Sequence, residues 1–124
     1  MIQHGTYLRV TDNSGGKYAL CIKLLGYYKP KSIAKIGNIL VVVVKKIKHR
    51  FKRIKEHTIY FALVIRTKKE MQRKDGTELK FSNNDIILLD KNKLPIGTRV
   101  LGVVPIELRK KGWSKVLSIS EGIV

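Results

Sequence analysis

The run Ile39 to Val44 (ILVVVV) places the tightest limit on how this chain can fold. Almost every residue in it is β-branched, stiff at χ1 and suited to a pleated surface. Apolar residues occupy both parities of the run, as in a strand covered on both faces. Ile59 to Ile65 has the same character, and Thr6 to Val10, Tyr18 to Leu25 and Ile86 to Leu89 read as three further strands. Turn signals separate them, among them the cluster Asp12-Asn13-Ser14-Gly15-Gly16 and the stop at Gly26. Many short strands between turns predict an all-β barrel or sandwich. With 124 residues, one domain over 1–124 is expected, because two would each be too small to bury a useful core.

Between the two central strands lies Lys45 to Lys55 (KKIKHRFKRIK), with seven Lys or Arg in eleven positions. It reads as a loop. Arg66 to Lys74 is a second basic segment, followed by Asp75-Gly76, a hairpin signal between Arg73-Lys74 and Leu79-Lys80-Phe81. Its charged flanks predict a hairpin that projects. Pro95-Ile96-Gly97-Thr98-Arg99 is a turn leading into Val100 to Val104. Pro105 opens a single helical turn over Ile106 to Lys110, stopped by Gly112, and Trp113 to Ile119 suits either a short helix or a strand.

Charge is the abnormal part of the composition. Lys and Arg total 26 against 9 Asp and Glu, a formal net charge of +17, and the first half carries 13 basic residues against 2 acidic. Such a chain repels itself unless a polyanion neutralises it, and a nucleic-acid backbone is the usual one. An anionic membrane surface is the competing sink, but the basic amphipathic helix it calls for is not seen. No apolar stretch reaches the roughly 20 residues that span a bilayer. Folded-looking sequence begins almost at Met1, which reads as the lack of a cleavable presequence.

Enzyme chemistry finds little support. His4, His49 and His57 lie in different segments without a carboxylate or cysteine at metal-ligand spacing, so no metal or other cofactor is expected. Gly15-Gly16-Lys17 matches the end of a phosphate-binding loop only in part: Tyr18 stands where the small hydroxyl residue Ser or Thr is needed and Thr11 where a glycine is needed. Cys21, between Leu20 and Ile22, reads as a reduced core thiol.

The basic segments carry the functional reading. Lys45, Lys46, Lys48, Arg50, Lys52, Arg53, Lys55, Arg66, Lys68, Lys69, Arg73 and Lys74 are the candidate RNA-binding residues. Each phosphate neutralised by such a side chain releases condensed counterions, so several contacts together bind strongly, with steep salt dependence. An ordinary charge run is a solvated face; here the net charge and its concentration in a loop favour phosphate binding. Phe51 and Ile54 either anchor that loop, the simpler reading, or stack on a base. The turns Asp12-Asn13-Ser14-Gly15 and Gly97-Thr98-Arg99 offer backbone amides to a phosphate or partner chain, or are only turns.

These residues together resemble the universal family of large-subunit ribosomal protein fourteen over essentially the whole length. Met1-Ile2-Gln3, Asp12-Asn13-Ser14-Gly15 and Cys21-Ile22-Lys23 sit where that family has them. The strongest match is Ala62-Leu63-Val64-Ile65, Arg66-Thr67-Lys68-Lys69, Asp75-Gly76, Phe81, Asn84 and Ile87-Leu88, with Ile87 in place of the usual valine. Pro95-Ile96-Gly97-Thr98-Arg99 and Glu107-Leu108-Arg109 complete the register. The resemblance implies a mainly β fold: a small five-stranded β-barrel with a projecting β-ribbon and short C-terminal helices. It implies a structural constituent of the large ribosomal subunit, not an enzyme, that binds large-subunit rRNA and helps form bridges to small-subunit rRNA. Large-subunit ribosomal proteins three and nineteen are the implied neighbours. Thr98, Arg99, Arg109 and Lys115 are implied to face the other subunit, or a ribosomal silencing factor that blocks subunit joining.

The chain departs from the family at Asn38, where aspartate is common, at Lys46, where glutamate is common, and at Gly122 near the end. Lys48 to Lys55 is also more basic than usual. Richness in Ile and Lys, with only Ala19, Ala34 and Ala62 as alanines, is the bias of an AT-rich genome. The expected location is the mitochondrial matrix ribosome, with a plastid or bacterial cytoplasm as alternatives. Two competing readings are a free RNA chaperone or translation factor on a similar barrel, and a basic enzyme acting on nucleic acid.

Overall fold

A computed structural model describes residues 2–26, 33–48 and 53–124. Five strands close into a barrel: β1 (Tyr7–Val10), β2 (Gly16–Leu24), β3 (Ile39–Ile47), β4 (Ile59–Arg66) and, after a short ribbon, β7 (Asp85–Leu89). Neighbours along β1-β2-β3-β4-β7 pair antiparallel, and β7 closes the ring by pairing in parallel with β1. The ribbon, β5 (Met71–Gln72) and β6 (Glu78–Leu79), forms a sheet of its own outside the ring. The chain ends with β8 (Val100–Val104), α1 (Glu107–Lys110), α2 (Ser114–Ile119) and β9 (Ser120–Ile123), which pairs in parallel with β8.

Two apolar clusters hold these parts together. Leu8, Val10, Ala19, Cys21, Leu40, Val42, Val44, Ala62, Val64, Ile86 and Leu88 fill the barrel. Leu63, Ile65, Ile87 and Leu89 point the other way from β4 and β7, into a second cluster with Val100, Val104, Leu108, Val116 and Leu117. The C-terminal section therefore seals one outer wall of the barrel; β4 is buried on both faces as its double-parity sequence predicts, and the structure buries β7 on both faces as well. For β3 that expectation is only partly met. Ile39 packs on the second cluster, but Val41 and Val43 stay half-buried. The row Tyr7, Leu20, Val43 and Ile59 crosses four strands on this open wall, with Tyr7 63% and Ile59 62% exposed.

Strand parity is corrected by β-bulges. The buried positions of β2 are Gly16, Ala19, Cys21 and Leu24; those of β3 are Leu40, Val42 and Val44, and Ile47 then packs on the same inner cluster. Each step of three in these series coincides with a shift in the β2–β3 register, which leaves Lys17, Ile22 and Lys45 without cross-strand partners. One extra residue inverts the faces of everything beyond it. In a regular strand Lys46 and Lys48 would turn into the barrel. With Lys45 as the extra residue they face outward, and Ile47 goes in. The basic run thus begins inside a strand, not in the loop expected beyond Val44, because Ile47 and Lys46 still pair with Gly16 and Tyr18.

Trp113 to Ile119 resolves as the helix α2, and β9 is a strand absent from the sequence reading. Ser-Glu-Gly-Ile has no strand-like pattern of its own; the free edge of β8 supplies the partner. Gly112, at φ +88°, makes the left-handed turn between the two helices. Cys21 is buried as expected, and burial pushes its thiol up to about 11.

The parity correction is testable. Lys46→Ala is expected to change unfolding free energy by no more than about 0.5 kcal/mol. Ile47→Asp, which puts a charge against the inner cluster, is expected to cost about 2 kcal/mol or more. Plain alternation from Val44 demands the reverse order, and urea unfolding of both variants distinguishes the two.

Candidate nucleic-acid interface

The described ends of the first basic segment are pinned to the barrel. Lys45 is half-buried at the bulge, while Lys46 and Lys48 are exposed on the outward face of β3. The Lys48 amide donates to the Gly15 carbonyl at 2.8 Å, which fixes the end of the strand against the β1–β2 turn. Arg50, Lys52 and Phe51 lie outside the described residues. Beyond them, Arg53 and Lys55 are exposed on either side of Ile54, which is only 1% exposed and belongs to the barrel core. Ile54 therefore anchors the segment. The Lys55 amide also donates to the Tyr60 hydroxyl at 3.2 Å.

The second basic segment is divided. Lys68, Lys69 and Lys74 are exposed, whereas Arg66 and Arg73 hold the protein together. Arg66 is 8% exposed; its Nη1 lies 3.1 Å from the Asp85 carboxylate, and its Nη2 donates to the Leu101 carbonyl. Arg9 joins the same carboxylate from the outer side, with Nε and Nη2 donating at 2.8 and 2.9 Å. Asp85, 1% exposed, thus sits between two guanidinium groups. Hydrogen bonding to Asp85 raises the Arg9 pKa, while burial lowers that of Arg66. Arg73 contacts Glu107 of α1 at 2.8 Å and donates to the Val124 carbonyl at 2.8 Å. These bonds, with Met71 and Phe81 packed on the second cluster, tie the ribbon down. At its tip Gly76 adopts φ +89°, and Asp75 accepts from the Thr77 amide and hydroxyl at 3.0 and 2.6 Å, which holds its carboxyl below the usual range.

The two turns proposed as amide donors dock on each other. Asn13 Oδ1 accepts from the Thr98 and Arg99 amides at 2.7 and 3.0 Å, and its Nδ2 donates to the Thr98 hydroxyl at 2.8 Å. The Asn13 amide donates to the Arg99 carbonyl at 3.1 Å. Asp12 is buried and accepts from the Ser14 amide and hydroxyl and from the Leu88 amide at 3.2, 2.5 and 3.0 Å. Its burial raises its carboxyl pKa, against the pull of those donors. The Asn13, Ser14, Thr98 and Arg99 amides are therefore bonded within the protein, which favours the plain-turn alternative over amides offered to a phosphate or partner chain. What remains outward is the exposed surface of Thr98 and Arg99. Arg109 on α1 and Lys115 on α2 are exposed as well.

Residues that segment-by-segment reading passed over also join the basic surface. Arg9, Lys17 and Tyr18 meet Lys48 around one cleft, although they come from three strands or strand ends. The register Arg9–Tyr18–Lys46 across β1, β2 and β3 brings them together. Isolated charges on strands carry no local signal; only the pairing reveals the cluster. Among the described residues no group of three or more His, Cys, Asp or Glu is placed to hold a metal ion, and no helix is long and apolar enough to cross a membrane.

Asp85→Asn is expected to destabilise the fold by about 3 kcal/mol or more, since it leaves the buried Arg66 cation without its counter-charge. Arg9→Ala, at a half-exposed partner, is expected to cost less than about 1 kcal/mol. Equal losses in urea unfolding would show that Arg66 does not depend on this carboxylate.

The closed five-stranded barrel, its C-terminal helical cover and its surplus of outward cations agree with the match of a family model to residues 1–124. That model describes ribosomal protein L14p/L23e, a structural and non-enzymatic kind of protein whose members belong to the large subunit, in association with rRNA and other ribosomal proteins. The chain belongs to the ribosomal protein L14p/L23e family.

Proposed function

We propose that this protein binds large-subunit rRNA directly, through the cations that the end of β3 and the segment after it hold away from the barrel. The observation that carries this reading is the geometry around Ile54 and Ile47. Both pack on the core, and Lys46, Lys48, Arg53 and Lys55 are left facing outward. Lys68, Lys69 and Lys74 of the second basic segment are exposed as well. A net charge of +17 on 124 residues supports an extended polyanion as partner. Arg66 is better read as a structural cation of the Asp85 pair than as a phosphate contact.

The second part of the proposal concerns the opposite subunit. Thr98 and Arg99 on the turn before β8, Arg109 on α1 and Lys115 on α2 are all exposed. These are the proposed contacts for bridges to small-subunit rRNA, and for a silencing factor that prevents subunit joining. Large-subunit proteins three and nineteen are the proposed protein neighbours, with the ribbon edge shared between chains. The Ile- and Lys-rich, alanine-poor composition supports a mitochondrial ribosome as the location.

Sedimentation tests the reading. The protein is expected to travel with the large subunit through moderate salt, and recovery only in ribosome-free fractions would defeat it. Replacing Lys48, Arg50, Lys52 and Arg53 together by alanine is expected to weaken RNA binding. It should also flatten the salt dependence by roughly 0.7 to 0.9 of a log unit of slope per lost phosphate contact. The barrel should still fold without RNA, because none of these side chains belongs to the described core. A variant that unfolds instead contradicts the placement of the segment.

A further inference from the structure

Outside the barrel wall lies a half-open cleft of about 420 Å³, lined by Arg9, Lys17, Tyr18, Lys48, Arg66 and Leu101 among others. Its walls are cationic and its flat surface is aromatic. Tyr18 is 39% exposed, and the Lys17 ammonium lies 5.8 Å from the centroid of its ring. Lys48 is held at the rim through its backbone bond to Gly15. The lining includes Arg66, a guanidinium more than nine-tenths buried, whose Nε has no hydrogen-bond partner. A buried donor without an acceptor is costly, and here it belongs to a side chain that borders an open cleft. Two carboxylates stand nearby: Asp85, already bonded to Arg9 and Arg66, and Glu121, which accepts from the Gly102 amide at 2.8 Å. Four cations against two carboxylates leave the cleft positive.

We propose that this cleft receives one unstacked nucleotide of an RNA strand, its base against Tyr18 and its phosphate between Lys17 and Lys48. The proposal rests on the RNA-binding reading and names a site within it. An aromatic face flanked by cations takes any exposed base by stacking while the cations take the backbone. A volume of about 420 Å³ lies in the range of pockets that enclose a small organic ligand. Bases inside a duplex are stacked on each other and cannot reach Tyr18. A free nucleotide shares the base-plus-phosphate chemistry, but it lacks the neighbouring phosphates that Lys46, on the adjoining strand end, would meet.

Binding of single-stranded oligouridine, of an RNA duplex of equal length and of uridine monophosphate to the folded protein tests this. Tyr18→Ala is expected to weaken oligouridine binding about tenfold, and Tyr18→Phe to restore it, with duplex binding unchanged in both. Lys17→Ala and Lys48→Ala should each lower the salt slope for oligouridine by roughly 0.7. Tyr7→Ala, exposed on the same wall but outside the cleft, should behave as wild type. Wild-type affinity in Tyr18→Ala, or an equal loss in Tyr7→Ala, overturns the site while leaving RNA binding standing. Uridine monophosphate bound as tightly as the oligonucleotide also overturns it, in favour of free nucleotides. Failure of the wild-type protein to bind any ribosomal RNA defeats the broader reading instead.

Discussion

A small closed barrel cannot hold an unpaired charge in its interior, and the rest of this structure follows from how the chain obeys that limit. Strand geometry alternates faces without regard to chemistry. The chain places Lys17, Lys45, Lys46 and Lys48 on strands, or at strand ends, whose other residues fill the core. The bulges at Lys17 and Lys45 reconcile the two. Each adds one residue at a point where plain alternation would bury a cation, and each returns an apolar or small residue, Ala19 or Ile47, to the inside. Bulges also strengthen the local twist. The same two residues that spare the core therefore set the cationic edge at one end of the β2–β3 pair.

Six of the nine acidic residues serve the protein's own interior, turns and joints. Asp12, Asp75, Asp85, Asp90, Glu107 and Glu121 all accept hydrogen bonds within the chain. Asp85 joins β7 to the arginines of β1 and β4; Asp12 ties the β1–β2 turn to β7; Glu107 ties α1 to the ribbon. Most of the negative charge is committed to local structure, and most of the positive charge is left facing solvent. That separation, more than the total of Lys and Arg, turns a basic composition into a basic surface.

The strands of the barrel were legible in the chain, though their pattern alone left a barrel and a sandwich open. Five β-rich runs marked the five barrel strands, Asp75-Gly76 marked the ribbon, and Pro105 and Gly112 bounded α1. Double parity at Ile59 to Ile65 foretold the second cluster over β4. What could not be read depends on partners far away in sequence. β9 exists because β8 offers an edge, and β3 continues through Lys45 and Lys46 because β2 continues beside it. The commitment of Arg66 to Asp85, and of the turn amides to Asn13, needs the fold before it can be seen. Charge density marked the basic segments but could not distinguish a cation shown to solvent from one buried against a carboxylate.

On the proposed function two roles separate: the apolar clusters hold the fold, and the outward cations are there to meet RNA. Thermal unfolding of the free protein across a salt series, beside its affinity for ribosomal RNA, measures both at once. Screening relieves repulsion among surface cations and weakens their grip on phosphates. The unfolding midpoint is therefore expected to rise with salt while RNA affinity falls. A free protein that is unfolded without RNA, or a midpoint that drops together with the affinity, would contradict the separation.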